Sequence, residues 1–208
     1  LTLRDWAGQT QFRVELESHG RPDMTPDLDL SRSVGWFTGL YPVLLTTRAS
    51  GQPGESLRAI KDTMRRVPND GIGYGVLRNL KEADWPRPNG QTPVRFNYLG
   101  QTDAVFGETN LLTPAEESPG PQIAAENPRD VIFDVTAIVG KGRMRLRWTY
   151  PGKQYHSATV QGLADTMAAN IAILIQHCVS DDASGFTPAD FPEMDFGQDD
   201  LDDLFLTL

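Results

Sequence analysis

At 208 residues, with 39% hydrophobic residues, four Trp, nine Phe and five Tyr, the chain can bury a core of its own and is not a disordered polymer. The net charge of −9 is local: nine of the 28 acids fall in residues 181–208, which hold no Lys or Arg, and the rest balance the 19 bases of the other 180 residues. A neutral body with an acidic tail excludes a nucleic-acid surface; no uninterrupted apolar run approaches the ~20 residues of a membrane span; and one cysteine, Cys178, forms no internal disulfide and suits a cytoplasmic setting.

The opening LTLRDWAGQTQ lacks the basic and apolar regions of a secretory signal. QFRVELESH (11–19) alternates, with Phe12, Val14 and Leu16 on one face and Arg13, Glu15 and Glu17 on the other, which predicts a half-buried strand. A polar stretch with Pro22 and Pro26 follows, then YPVLLTTRA (41–49), which reads as a buried strand. From Gly54 to Val67, Leu57, Ile60, Met64 and Val67 recur at helical spacing, and Pro68 stops the helix. GIGYG reads as a tight turn leading into a short helix at VLRNL, and TPVRFNYLG (92–100) as a strand.

Residues 101–129, rich in Pro, Glu, Asn and Gly, predict a long excursion. Two alternating runs, VIFDVTAIVG and GRMRLRWTYP, flank Gly140, Lys141 and Gly142 and predict a hairpin. Ala158 to Val179 carries Val160, Leu163, Met167, Ile171, Leu174, Ile175 and Cys178 on one stripe, an amphipathic helix able to cover a sheet. Gly185, Pro188 and Pro192 then mark an extended linker, with apolar residues at 201, 204, 205 and 208 spaced for a short amphipathic helix. Strands and helices without regular βαβ alternation predict an α+β layer.

Several chemistries find no support in the residues. GIGYG lacks the Lys-Ser/Thr of a phosphate loop and the strand–GxGxxG–helix context of a dinucleotide site. Cys178, His19, His156 and His177 show no metal-ligand spacing. There is no G-x-S-x-G and no Cys–His arrangement for a nucleophile.

Four stretches occur in a fixed order: ESHGR (17–21), SVGWFTGLYPV (33–43), PNDGIGYG (68–75) and FNYLG (96–100). Together they resemble the second half of an epimerization domain of a non-ribosomal peptide synthetase, within the condensation-domain superfamily. That family carries its catalytic histidines in a first half, in an H-H-x-x-x-D-G motif. This chain has no adjacent histidine pair, so the resemblance covers half of an active site. It implies one lobe of a chloramphenicol acetyltransferase-like fold over residues 1–180, with 181–208 as an acidic linker. Thr187 to Pro192 matches a run that commonly follows this domain type.

The implied reaction converts the L residue of a carrier-bound aminoacyl or peptidyl thioester to an L/D mixture. From position alone Glu17 is a solvated strand carboxylate; the resemblance makes it an acid/base group facing the catalytic histidine across a substrate tunnel. His19 and Arg21 come with the same motif, which often has an acid where this chain has Pro22. His19 reads as fixing its loop and Arg21 as pairing with a carboxylate, and the resemblance places both of them among the substrate-binding residues. Asn97 and Tyr98 read from the residues as a strand end with an aromatic in the core; the resemblance lines the tunnel with them, where they could stabilise an enolate oxygen. Trp36, Phe37 and Tyr41 read as core or tunnel packing, with Trp36 near substrate.

The resemblance also implies partners: an N-terminal lobe bearing the histidine motif, an upstream peptidyl carrier domain, and a downstream condensation domain or module. It implies no cofactor of the chain's own; the substrate hangs on the carrier's phosphopantetheine. Two other readings stay open. One is a peptide-bond-forming condensation lobe, although such domains generally lack ESHGR and FNYLG. The other is a non-catalytic interaction lobe.

Overall fold

The computed structural model describes residues 1–19, 29, 30, 32–47, 52–80, 92–103, 115, 117, 118, 120, 121, 123, 124, 126–180, 187–190 and 197. Its elements are α1 (Thr2–Ala7), β1 (Gln11–Ser18), β2 (Gly39–Thr46), α2 (Pro53–Arg65), α3 (Ile72–Leu80), β3 (Thr92–Gln101), β4 (Val131–Gly140), β5 (Arg143–Thr149) and α4 (Ser157–Cys178). The five strands form one mixed sheet in the order β2-β1-β3-β4-β5. β1 pairs antiparallel with β2 and parallel with β3; β4 pairs parallel with β3 and antiparallel with β5. This is the α+β layer that the periodicities predict.

The alternation of each strand decides which face the helices cover. Val14, Val94, Phe133 and Val135 point to one side and form the core with Val160 and Leu163 of α4. Phe133 sits at its centre, 6.0 Å from the Trp6 ring, 5.8 Å from Trp148 and 4.8 Å from Tyr155. An apolar cavity of about 440 Å³ lies on this helical side, with Phe12, Phe96, Trp148 and Met167 in its walls.

The β4–β5 hairpin closes on Lys141 and Gly142, whose φ values of 53° and 66° are those of a two-residue turn matched to the strand twist. On α4, Val160 and Leu163 are buried, whereas Ile175 and Cys178, expected on the same stripe, are exposed. At about 3.6 residues per turn Cys178 stands on the same side of the helix as Val160, so its exposure marks where the described residues stop covering α4. By length and composition alone α4 is the one described helix long and apolar enough to cross a bilayer, but Val160 and Leu163 pack it against the sheet, as the covering helix read from the sequence does.

Three boundaries differ from the sequence reading. α1 is a helix in a segment that carried no helix expectation. Helix α2 ends at Arg65, so Val67 lies beyond it. α3 begins at Ile72 and absorbs Gly73 and Gly75. Only Gly71 of that motif needs to be glycine: its φ is +79°, and a Cβ there would stand 2.2 Å from the Tyr41 ring. Tyr41 is buried, as expected of an aromatic used for packing.

Residues Thr187–Asp190, inside the stretch read as a linker, pack against α2. Thr187 is fully buried. Its backbone N–H donates to Asp190 Oδ2 at 2.9 Å, and Asp190 in turn bridges Lys61 and Arg65. Most of the 101–129 excursion and the apolar end of the tail lie outside the described residues.

Candidate active site

The sheet face turned away from the core carries the polar chemistry. In β1 the residues between the core positions are Arg13, Glu15 and Glu17; in β3 they are Arg95 and Asn97; in β4 they are Asp134 and Thr136. The parallel register aligns Val14 with Val94, Glu15 with Arg95 and Leu16 with Phe96. Two side-chain rungs therefore cross from β1 to β3, one step apart.

The first rung joins Glu15 and Arg95. Arg95 Nε donates to Glu15 Oε1 at 2.7 Å, and Nη2 donates to Asp130 Oδ2 at 2.6 Å. Nη1 lies 4.0 Å from Asp134 Oδ2. Both side chains of the rung are largely covered, Arg95 at 14% and Glu15 at 12% exposure. Such a multiply bonded guanidinium is fixed in place.

The second rung joins Glu17 and Asn97: Asn97 Nδ2 donates to Glu17 Oε2 at 2.6 Å. Burial pushes the Glu17 carboxyl above the usual carboxylate range. Arg95 and the Asn97 hydrogen bond pull it down, while the charges of Asp134 and Glu15 push it further up. A carboxyl raised in this way, held by one neutral donor, is suited to exchanging protons.

The other expected site residues stand elsewhere. Tyr98 is paired with Ala137, a core position, so it leaves the sheet on the side opposite Asn97 and Glu17; it is 53% exposed. The strand does not end at Tyr98 but continues through an irregular register to Gln101. His19 follows β1 and is exposed. Arg21 lies outside the described residues. Trp36 is 90% exposed, so the core alternative for it does not hold. The network of Glu15, Arg95, Asp130 and Asp134 went unread in the sequence. Alternation within QFRVELES and VRFN places Glu15 and Arg95 on polar faces, but their pairing depends on a register between strands 80 residues apart.

Comparison with known proteins places this geometry. A family model described as a condensation domain matches residues 1–194. The chain is 35% identical to surfactin synthase subunit 1 of Bacillus subtilis over 207 residues, covering 98% of this chain and 6% of that protein. It is 30% identical to bacitracin synthase 1 of Bacillus licheniformis over 200 residues, covering 96% of this chain and 4% of the relative. The chain thus spans a small fraction of the length of these curated relatives. The crystal structure of the epimerization domain from the third module of tyrocidine synthetase B superposes with a TM-score of 0.76 at 31% identity, over 86% of this chain and 40% of that one. The starter condensation domain of rhizomide synthetase superposes with a TM-score of 0.52 at 12% identity, over 84% of this chain and 40% of that one, a likeness of fold alone. With its mixed sheet backed by helices in the chloramphenicol acetyltransferase-like manner, this chain belongs to the condensation-domain family.

Proposed function

We propose that this chain is the C-terminal lobe of an epimerization domain and contributes Glu17 to the inversion of Cα in a carrier-bound aminoacyl or peptidyl thioester. The observation that carries the reading is the Glu17–Asn97 rung: a carboxyl raised by burial and fixed at 2.6 Å by a neutral amide. Its likeness to a solved epimerization domain at 31% identity supports the same reading.

Inversion needs a proton taken from one face of Cα and another delivered to the opposite face. One group takes the Cα proton, the electron pair passes into the thioester carbonyl to give an enolate, and a second group returns a proton from the other side. Glu17 is one of these groups. The other is a histidine of an N-terminal lobe, and the substrate arrives on the phosphopantetheine of a carrier domain. Asn97 holds Glu17 and offers its amide to the enolate oxygen, while Trp36, His19 and Arg21 shape the approach of the thioester.

The test is Glu17→Gln in a complete synthetase containing this lobe, read by deuterium incorporation at Cα. General acid–base help is worth about 10²–10⁴-fold, and exchange is expected to fall within that range. Exchange near the wild-type rate removes Glu17 from the reaction. The 208-residue chain by itself is expected to give no inversion. Peptide-bond formation is the second reading, favoured by the description of the matching family model; a complete domain that couples two carrier-bound substrates and leaves Cα unexchanged would establish it.

A further inference from the structure

Three carboxylates share one guanidinium on the polar sheet face, and a fourth, Glu17, stands beside them. Glu15 and Glu17 are two residues apart on the same side of β1, Asp134 stands across β3, and Asp130 precedes β4. Arg95 lies between them, bonded to Glu15 and Asp130 and in ion-pair range of Asp134. Glu17 takes its hydrogen bond from Asn97 instead. We infer that Arg95 is a positioning residue for Glu17: by engaging Glu15, Asp130 and Asp134 it leaves the Glu17 carboxyl to Asn97 and keeps it in that pose. The inference rests on the proposed role of Glu17 and deepens it.

The division of labour follows from shape and charge. A guanidinium presents donors in a rigid fork and can serve several carboxylates at once, whereas an ammonium is a point charge on a flexible stem. With the fork removed, Glu15 and Asp134 would be left as like charges beside Glu17, in a partly covered setting where water screens them poorly. Arg95 itself is 14% exposed with its nitrogens turned to carboxylates, so it does not meet substrate. The charged groups facing Glu17 are Arg13 and Glu15 from β1, Arg95 from β3, Asp134 from β4, Asp130 ahead of it, and more distantly Arg147 of β5, aligned with Thr136. β2 presents the apolar Leu40 opposite Glu17.

Two readouts test this. The first is the titration midpoint of the Glu17 carboxyl in the 208-residue chain, followed by carbon-13 NMR. The second is the pH profile of Cα exchange in a complete synthetase. Arg95→Met removes the cation and is expected to move the Glu17 midpoint, and the acidic limb of the profile, to higher pH. Glu15→Gln removes a like charge and frees Arg95, so both should move to lower pH. Arg95→Lys should restore the midpoint towards wild type while kcat stays reduced and KM holds, since an ammonium on a flexible stem lacks the fixed fork that reaches all three carboxylates.

Opposite shifts in the two charge-removing variants are the signature, because a merely structural role would lower stability in both and give no such pair of signs. Midpoints that stay put, or move in the same direction, overturn the inference. If Arg95→Met does not fold, Glu15→Gln and Arg95→Lys decide it alone: no downward shift in the former together with full kcat in the latter rejects the role. The NMR midpoint does not depend on catalysis. Glu17→Gln with unchanged exchange would therefore sink the proposed reaction and leave the Arg95–Glu17 coupling to stand or fall separately.

Discussion

Asn97 on β3 donates its amide to Glu17 on β1 at 2.6 Å, across a parallel strand pair. The contact needs both strand alternation and register: a slip of one residue in either strand would send one partner to the helical side of the sheet. The pose of Glu17 is thus written into the same pairing that builds the core from Val14, Val94 and Phe133.

The raised carboxyl of Glu17 predicts a stability signature. Its folded-state pKa lies above the usual value of 4.5, so its contribution is fully present below that value and is lost as pH rises through the folded midpoint. Glu17→Gln mimics the protonated form and removes this loss. In urea titrations across a pH series, the stability of the variant relative to wild type is expected to increase with pH over that window. A difference that shrinks with rising pH would contradict the assigned direction.

Tyr98→Phe separates chemistry from packing. The ring is half exposed, so loss of its hydroxyl should leave the melting temperature near wild type, within about 0.5 kcal/mol. Because Tyr98 leaves the sheet on the side opposite Glu17, Cα exchange in a complete synthetase is expected to hold as well. Exchange that slows with KM unchanged would instead give the hydroxyl a part in the reaction.

Gly71 and Gly75 should respond oppositely to alanine. At Gly71 the left-handed φ and the Tyr41 ring both oppose a Cβ, and Gly71→Ala is expected to cost about 2–4 kcal/mol in chemical denaturation. Gly75 lies inside α3 with open space around it, and Gly75→Ala should raise stability by about 0.5–1 kcal/mol. Equal effects at the two positions would refute the close approach of Gly71 to Tyr41.

Asp190 holds Thr187 against α2, and its carboxyl is kept below the usual range, chiefly by the hydrogen bond from Lys61. The contribution is present above the ordinary carboxylate pKa and is lost as pH falls through the lowered value. The NMR position of the Thr187 N–H is expected to change over that acidic window. Asp190→Ala should reproduce the change at pH 7 and speed proteolysis beyond residue 180. A Thr187 resonance indifferent to both would show that the clasp does not hold in solution.

Local pattern was legible where one period sufficed. The two-residue alternation of β1 and β4, the Lys141–Gly142 turn and the apolar spacing of α4 all stand in the structure near their expected places. α1 was not legible, because its six residues span under two turns and give a periodicity too short to register. α3 was read too short because Gly73 and Gly75 look like turn residues although both sit in helical backbone. Of the site, Glu17 and Asn97 were each visible as residues of quoted motifs. Their contact was not, since no local period encodes which strands are neighbours. For Tyr98 and Trp36, surroundings rather than residue type decided exposure.

The parallel pairing of β1 with β3 has a kinetic meaning. Glu17 and Asn97 are 80 residues apart in sequence, and β2, α2 and α3 intervene between their strands. Closing so long a loop costs conformational entropy before any rung can form, which places such pairings among the slow steps of folding. While a chain of this kind emerges from the ribosome, Glu17 must wait as an ordinary solvated acid until residue 97 has been made. The raised carboxyl is therefore a late marker of maturation: a nascent lobe interrupted before β3 would carry the ESHGR segment in full and none of the burial that raises Glu17.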